Sequence, residues 1–133
     1  MDQEKVRRVM YIEDDQEMID LVEMILTRRG FQVRSAQGGR SGLDLIGQDP
    51  PDLILLDLMM PGMDGWEVYQ QLKSSEKTSA IPVIVVTAKA QPIDRVLGLH
   101  IAKVDDYIAK PFRPQELVDS IERVLSRAAQ ERF

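Results

Sequence analysis

The residues of this sequence that could do chemistry stand in four polar stretches, each directly after a run of apolar residues. They are Glu13, Asp14, Asp15, Asp57, Thr87 and Lys110. Carboxylates held together repel one another by about 1 kcal/mol per pair at about 4 Å in water, and by more in a partly buried site. The chain has no cysteine and a single histidine. A metal that offsets this charge must therefore be a hard, oxygen-bound cation, which favours Mg²⁺.

A cluster of carboxylates beside one lysine and one hydroxyl is typical of phosphoryl transfer. That reaction needs an in-line nucleophile, a metal that bridges oxygens, and donors that neutralise charge on the phosphoryl group. Asp57, Mg²⁺, Lys110 and Thr87 fit these three roles. The residues therefore predict a phosphoryl-transfer site.

The elements that must position these side chains can be read from the hydrophobic pattern. Apolar runs at residues 9–12, 31–33, 53–56, 83–86 and 107–109 predict five strands, and the third and fourth are apolar throughout, as in the centre of a parallel sheet. Amphipathic segments at 16–29, 41–46, 64–72, 93–101 and 114–125 predict five helices. The alternation predicts an α/β fold, with a doubly wound parallel sheet covered by helices on both faces. In such sheets the site lies at the carboxyl ends of the strands, where the four polar stretches would meet.

The polar stretches also form four motifs in a characteristic order. They are Ile12-Glu13-Asp14-Asp15, the stretch from Asp57 to Gly65 with Met59-Met60-Pro61-Gly62 inside it, Thr87-Ala88, and the stretch from Asp105 to Phe112 with Lys110-Pro111 inside it. Together they resemble the receiver domain of two-component response regulators, similar to the chemotaxis switch protein, over about residues 9–127. The resemblance implies a flavodoxin-like strand order 2-1-3-4-5 with five helices. It also implies a phosphoacceptor signalling domain rather than an enzyme.

The same resemblance assigns the residues around the metal. Asp57 would be the phosphoacceptor, and it would bind Mg²⁺ together with Glu13 and Asp14. Met59 would offer only its backbone carbonyl to the ion. Asp15 competes with Asp14 for the metal, but its place directly before a helix favours the role of an N-cap.

The resemblance further implies a switch. Lys110 would pair with the phosphoryl group, and Thr87 would turn its hydroxyl toward it. Tyr107 would then move inward and alter the face formed by the fourth helix, the fifth strand and the fifth helix, and the Lys110-Pro111 bond would be cis. The sequence departs from the family over residues 98–105, where one residue is added and a customary glycine is absent. We expect this change to alter the end of the fourth helix.

The expected partners are proteins. A formal net charge of −5 disfavours direct nucleic-acid binding, and no apolar run approaches the roughly 20 residues of a membrane span. We expect a cytoplasmic protein that binds a sensor histidine kinase or a phosphotransfer protein. We also expect it to bind a downstream protein target, which the sequence does not identify. A dimer that forms on phosphorylation is a further possible partner state.

Residues 1–133 are expected to form a single, stand-alone receiver domain. The alternatives are a receiver fragment of a larger regulator with an effector domain, and a pseudo-receiver that acts unphosphorylated as a scaffold. A phosphatase of the haloacid-dehalogenase type with Asp57 as nucleophile is disfavoured, because Met59 occupies the position where such an enzyme carries a second carboxylate.

Overall fold

The computed structural model describes residues 6–131, which alternate between strands and helices. The strands are β1 (Arg8–Ile12), β2 (Gln32–Ala36), β3 (Leu53–Leu56), β4 (Val83–Thr87) and β5 (Asp106–Ala109). The helices are α1 (Gln16–Thr27), α2 (Gly39–Gln48), α3 (Gly65–Ser74), α4 (Pro92–Val96) and α5 (Pro114–Glu131). The predicted domain of residues 1–133 includes 1–5 and 132–133, which lie outside the described residues. Within residues 6–131, no helix has the length and apolar character needed to cross a membrane.

The five strands form one parallel sheet in the order β2-β1-β3-β4-β5, which confirms the predicted fold class. The chain runs from β1 to β2 on one side and then returns to β3 on the other, so the winding reverses between β1 and β3. Ile12 pairs with Leu56 at the end of these two strands. The next residues, Glu13 and Asp57, therefore leave the sheet side by side.

Successive strand residues point to opposite faces of the sheet and form two cores. Val9 and Tyr11 belong to the core shared with α1 and α5. Met10 and Ile12 belong to the core shared with α2 and α3, which also contains Tyr107. The strands β3 and β4 are buried along their whole length. The sheet is thus a rigid support for the loops at its carboxyl edge.

Two aspartates of the polar stretches begin helices. The Asp15 carboxylate accepts a hydrogen bond of 3.0 Å from the Glu17 backbone N–H at the start of α1. The Asp64 carboxylate does the same for Glu67 in α3, also at 3.0 Å. Each such cap contributes about 1 kcal/mol. The preferred reading of Asp15 as an N-cap is confirmed.

The fourth helix ends in a wider helical turn. A π-helical segment, Leu97–Ala102, follows directly on α4, and a π turn accommodates an extra residue by bonding i to i+5. The segment ends at Lys103, whose φ of 64° is left-handed. Glycine is the usual residue in that position because it carries no Cβ. The helix thus ends in a π-helical turn and a left-handed lysine, within the stretch where we expected an altered end.

A glycine allows α3 to begin directly against the loop that carries Asp57. An added Cβ at Gly65 would lie 2.5 Å from the Leu58 Cα and would also meet the Asp57 carbonyl oxygen. Both are backbone atoms, so we expect Gly65→Ala to lower the free energy of unfolding by about 1–3 kcal/mol, measured by urea denaturation.

Gly47→Ala is the matched control, because an added Cβ there meets nothing within 4 Å. We expect it to leave stability unchanged or raise it by about 0.5–1 kcal/mol. If Gly65→Ala were as stable as the wild type, the close approach of α3 to the Asp57 loop would be contradicted.

Candidate functional site

Three carboxylates meet at the carboxyl edge of the sheet. Glu13, Asp14 and Asp57 each offer an oxygen, and these oxygens lie within 4.8 Å of one another. Glu13 is 1% exposed and Asp57 is 3% exposed, while Asp14 is exposed to solvent. Hard divalent cations such as Mg²⁺ bind through one or two carboxylates and complete their shell with water. A donor set of oxygens with one open side fits that requirement.

Lys110 supplies positive charge to this cluster. Its ammonium lies 2.5 Å from Glu13 Oε1 and 3.5 Å from Asp57 Oδ2. The Lys110 backbone N–H donates to the Thr87 carbonyl at 2.9 Å, which ties the ends of β4 and β5 together. The Lys110-Pro111 peptide is cis, as predicted. One ammonium offsets one of the three negative charges, so the site retains a net negative charge.

Backbone hydrogen bonds hold Asp57 in place. Its N–H donates to the Ile12 carbonyl at 3.1 Å, which extends the pairing of β1 and β3 by one residue. Its Oδ1 accepts a hydrogen bond of 3.2 Å from the Met59 N–H. The Met59 side chain is 58% exposed, which agrees with a residue that would act through its backbone alone.

Thr87, the last residue of β4, is fully buried. Its Oγ1 accepts a hydrogen bond of 3.2 Å from the Lys89 N–H. The structure thus places the hydroxyl at the same sheet edge as Asp57 and Lys110. The turn of this hydroxyl toward a phosphoryl group stays a prediction.

Tyr107 already lies inward. Its ring is 2% exposed, and its hydroxyl donates to the Lys89 carbonyl. The Arg95 guanidinium lies 5.7 Å from the ring centroid and donates to the Tyr107 carbonyl at 3.0 Å. Burial raises the pKa of Tyr107 to about 12. The family resemblance implied that the Tyr107 ring moves inward only when space opens for it. In this structure the ring already occupies an inward space.

Gly98 makes that space. A Cβ on Gly98 would lie 2.6 Å from Cδ2 of the Tyr107 ring, which is closer than real contacts allow. Sequence reasoning treated Gly98 only as part of the altered turn. Its packing role could not be inferred, because it depends on where the π-helical segment places the residue.

Tyr11 is a second residue that sequence reasoning missed. Its hydroxyl donates a hydrogen bond of 2.8 Å to Glu13 Oε1. Burial, followed by the nearby charge of Glu13, raises the pKa of Tyr11, so the hydroxyl keeps its proton. The spacing of Tyr11 and Glu13 could have indicated this contact, because residues two apart along a strand lie on the same face of the sheet.

The chain was compared with models of known protein families. The model of the response regulator receiver domain matches residues 9–122. The chain belongs to this family. Receiver domains are phosphoacceptor modules of two-component signalling rather than classical enzymes. The cluster of Glu13, Asp14 and Asp57 is typical of the Mg²⁺ site of such a domain.

Solved structures agree with this assignment. The CheY-like receiver domain protein of Methanospirillum hungatei JF-1 is 28% identical with a TM-score of 0.86, over 96% of this chain and 99% of that one. The signal receiver domain of a signal transduction histidine kinase from Syntrophus aciditrophicus is 31% identical with a TM-score of 0.82, over 91% of each chain. The N-terminal domain of a response regulator receiver protein from Methanoculleus marisnigri JR1 is 33% identical with a TM-score of 0.73, over 91% and 98%.

The space beside the Tyr107 ring can be tested by filling it. We expect Gly98→Ala to displace the ring and to lower the free energy of unfolding by about 1–3 kcal/mol, because the methyl group overlaps the ring. Urea denaturation measures the loss, and NMR of the Tyr107 ring reports its displacement.

The control is the same substitution in a Tyr107→Ala background. There the Tyr107 ring is gone and the Trp66 ring lies 3.6 Å from the added Cβ, an ordinary contact, so we expect Gly98→Ala to cost little, as in a double-mutant cycle of two contacting residues. An equal loss of stability in both backgrounds would show that Gly98 does not serve Tyr107.

Proposed function

We propose that this receiver domain accepts a phosphoryl group on Asp57 from the phosphohistidine of a sensor histidine kinase or of a phosphotransfer protein. The observation that carries the proposal is the cluster of Glu13, Asp14 and Asp57, with the ammonium of Lys110 beside the first and the last of them. An uncompensated negative charge of this kind is suited to a divalent cation and, with it, a phosphoryl group.

The transfer exchanges one bond to phosphorus for another. An oxygen of Asp57 attacks the phosphorus in line, the new P–O bond forms, and the P–N bond to the imidazole breaks. The imidazole leaves with the electron pair and takes up a proton. No oxidation or reduction is involved. Asp57 suits the role because its carboxylate is held by the Met59 N–H at 3.2 Å and lies 3.5 Å from the Lys110 ammonium.

Glu13, Asp14, Asp57 and the Met59 carbonyl would hold Mg²⁺, which when bound supplies positive charge to the phosphoryl oxygens. The Lys110 ammonium would pair with one phosphoryl oxygen. The Thr87 hydroxyl accepts a hydrogen bond from the Lys89 N–H in this structure, and it would donate a hydrogen bond to a second phosphoryl oxygen.

The phosphorylated state would be read by a downstream protein on the face of α4, β5 and α5. Several large apolar side chains of α4 and the π-helical segment are exposed, and two of them, Leu97 and Ile101, lie beside Trp66 of α3. The exposed side chains are Ile93, Val96, Leu97 and Ile101. Exposed apolar side chains that lie together are typical of a protein-binding surface. Pairing of two phosphorylated copies is the alternative use of this face.

Other functions are less well supported. The Met59 side chain points to solvent and carries no carboxylate, which disfavours a phosphatase with Asp57 as nucleophile. A scaffold that acts without phosphorylation would have no need of the buried carboxylates. The similar receiver domain from a histidine kinase leaves a larger parent protein as an alternative to a stand-alone receiver.

Phosphorylation by a small donor tests the proposal without the kinase. We expect incubation with acetyl phosphate and Mg²⁺ to add one phosphoryl group, seen by intact mass spectrometry. The gain should vanish in Asp57→Asn and with a chelator, because nucleophile and metal are both required.

The matched control is Asp44→Asn, which removes an exposed carboxylate of α2. It should be phosphorylated like the wild type. If the wild type gained no phosphoryl group at any donor concentration, the proposal would fail and the scaffold function would remain.

A further inference from the structure

Among the described residues, three groups donate hydrogen bonds to the Glu13 carboxylate. They are two side chains, of which one is held rigidly, and one backbone N–H. Its Oε1 accepts from the Tyr11 hydroxyl at 2.8 Å and lies 2.5 Å from the Lys110 ammonium. Its Oε2 accepts from the Asp15 N–H at a longer distance of 3.2 Å. Glu13 is 1% exposed, so bulk water cannot readily replace a donor that is lost. The direction in which this carboxylate points therefore depends on the groups around it.

The Tyr11 ring is well suited to fix that direction. Its side chain has no exposed surface and is packed in the core shared with α1 and α5. A tyrosine in close packing keeps its hydroxyl at one point, because its ring has only two side-chain torsions and both are set by neighbours. The hydrogen bond to Oε1 is consequently anchored in the core of the protein.

Lys110 is less suited to the same task. It is shared between Glu13 and Asp57, at 2.5 and 3.5 Å, and its side chain is a flexible chain of four methylenes. Under the proposed function it would move toward a phosphoryl group on Asp57. Tyr11 would then remain as the side-chain donor to Oε1 of Glu13.

We propose that Tyr11 is a positioning residue that acts through Glu13: its hydroxyl holds Oε1 on the core side, so that the carboxylate stays oriented for Mg²⁺. This inference rests on the proposed function. Partners that orient a metal ligand through a hydrogen bond commonly change metal affinity by 10- to 100-fold when they are removed. Tyr11 would thus set the affinity of the site without contacting metal or phosphoryl group.

Removal of the hydroxyl alone tests the inference. We expect Tyr11→Phe to raise the Mg²⁺ dissociation constant about tenfold, measured by isothermal titration calorimetry on the unphosphorylated protein. The matched control is Tyr69→Phe, which removes a hydroxyl that donates to the Ala102 carbonyl at 2.8 Å in the other core. It should bind Mg²⁺ like the wild type. Thermal unfolding of both variants separates loss of stability from loss of affinity.

A double-mutant cycle with Glu13→Gln tests the route of the effect. If Tyr11 acts through the carboxylate, Tyr11→Phe should change the dissociation constant far less in the Glu13→Gln background than in the wild type. An equal change in both backgrounds would overturn the inference. So would a Tyr11→Phe protein that binds Mg²⁺ as tightly as the wild type.

The two proposals fail in different ways. A wild-type protein that neither binds Mg²⁺ nor gains a phosphoryl group would overturn the proposed function, and the role of Tyr11 with it. A wild-type protein that does both, beside a Tyr11→Phe variant of unchanged affinity, would overturn the role of Tyr11 alone.

Discussion

Negative charge concentrated at one edge of the sheet is the constraint to which the rest of the site responds. The carboxylate oxygens of Glu13, Asp14 and Asp57 lie within 4.8 Å of one another, and two of these residues are almost fully buried. Lys110 offsets part of this charge by lying between Glu13 and Asp57. The remainder suits the site to a divalent cation, because the positive charge of the ion would replace repulsion between the carboxylates with attraction to it.

The fold keeps these charges in place through backbone contacts. Glu13 and Asp57 each continue the hydrogen bonding of the sheet by one residue beyond their strands, to the carbonyls of Ala36 and Ile12. Gly65 lets α3 begin against the Asp57 loop. These contacts hold the backbone of both residues at the sheet edge. The completely buried strands β3 and β4 lie next to this edge and support it.

The grouping of Glu13, Asp14 and Asp57 could be predicted from the sequence, because parallel strands bring their carboxyl ends to one edge. The five helices followed from the hydrophobic pattern and the strand order from the family resemblance, and the structure confirms both. Contacts that arise from packing were not predictable. The departure from the family pattern over residues 98–105 predicted a change in the fourth helix, but the π-helical segment and the space that Gly98 leaves for Tyr107 depend on neighbouring elements. Tyr11 looked like an ordinary core residue, because its hydroxyl matters only once Glu13 is buried beside it.

The most direct measurement is a crystal structure of the protein with Mg²⁺ and beryllofluoride, a mimic of the phosphoryl group. The convergence of the strand ends predicts the mimic bonded to Asp57, with the Lys110 ammonium and the Thr87 hydroxyl donating to its fluorine atoms. It also predicts the ion among oxygens of Glu13, Asp14 and Asp57. A structure with the mimic away from Asp57, or with the ion bound elsewhere, would contradict the account.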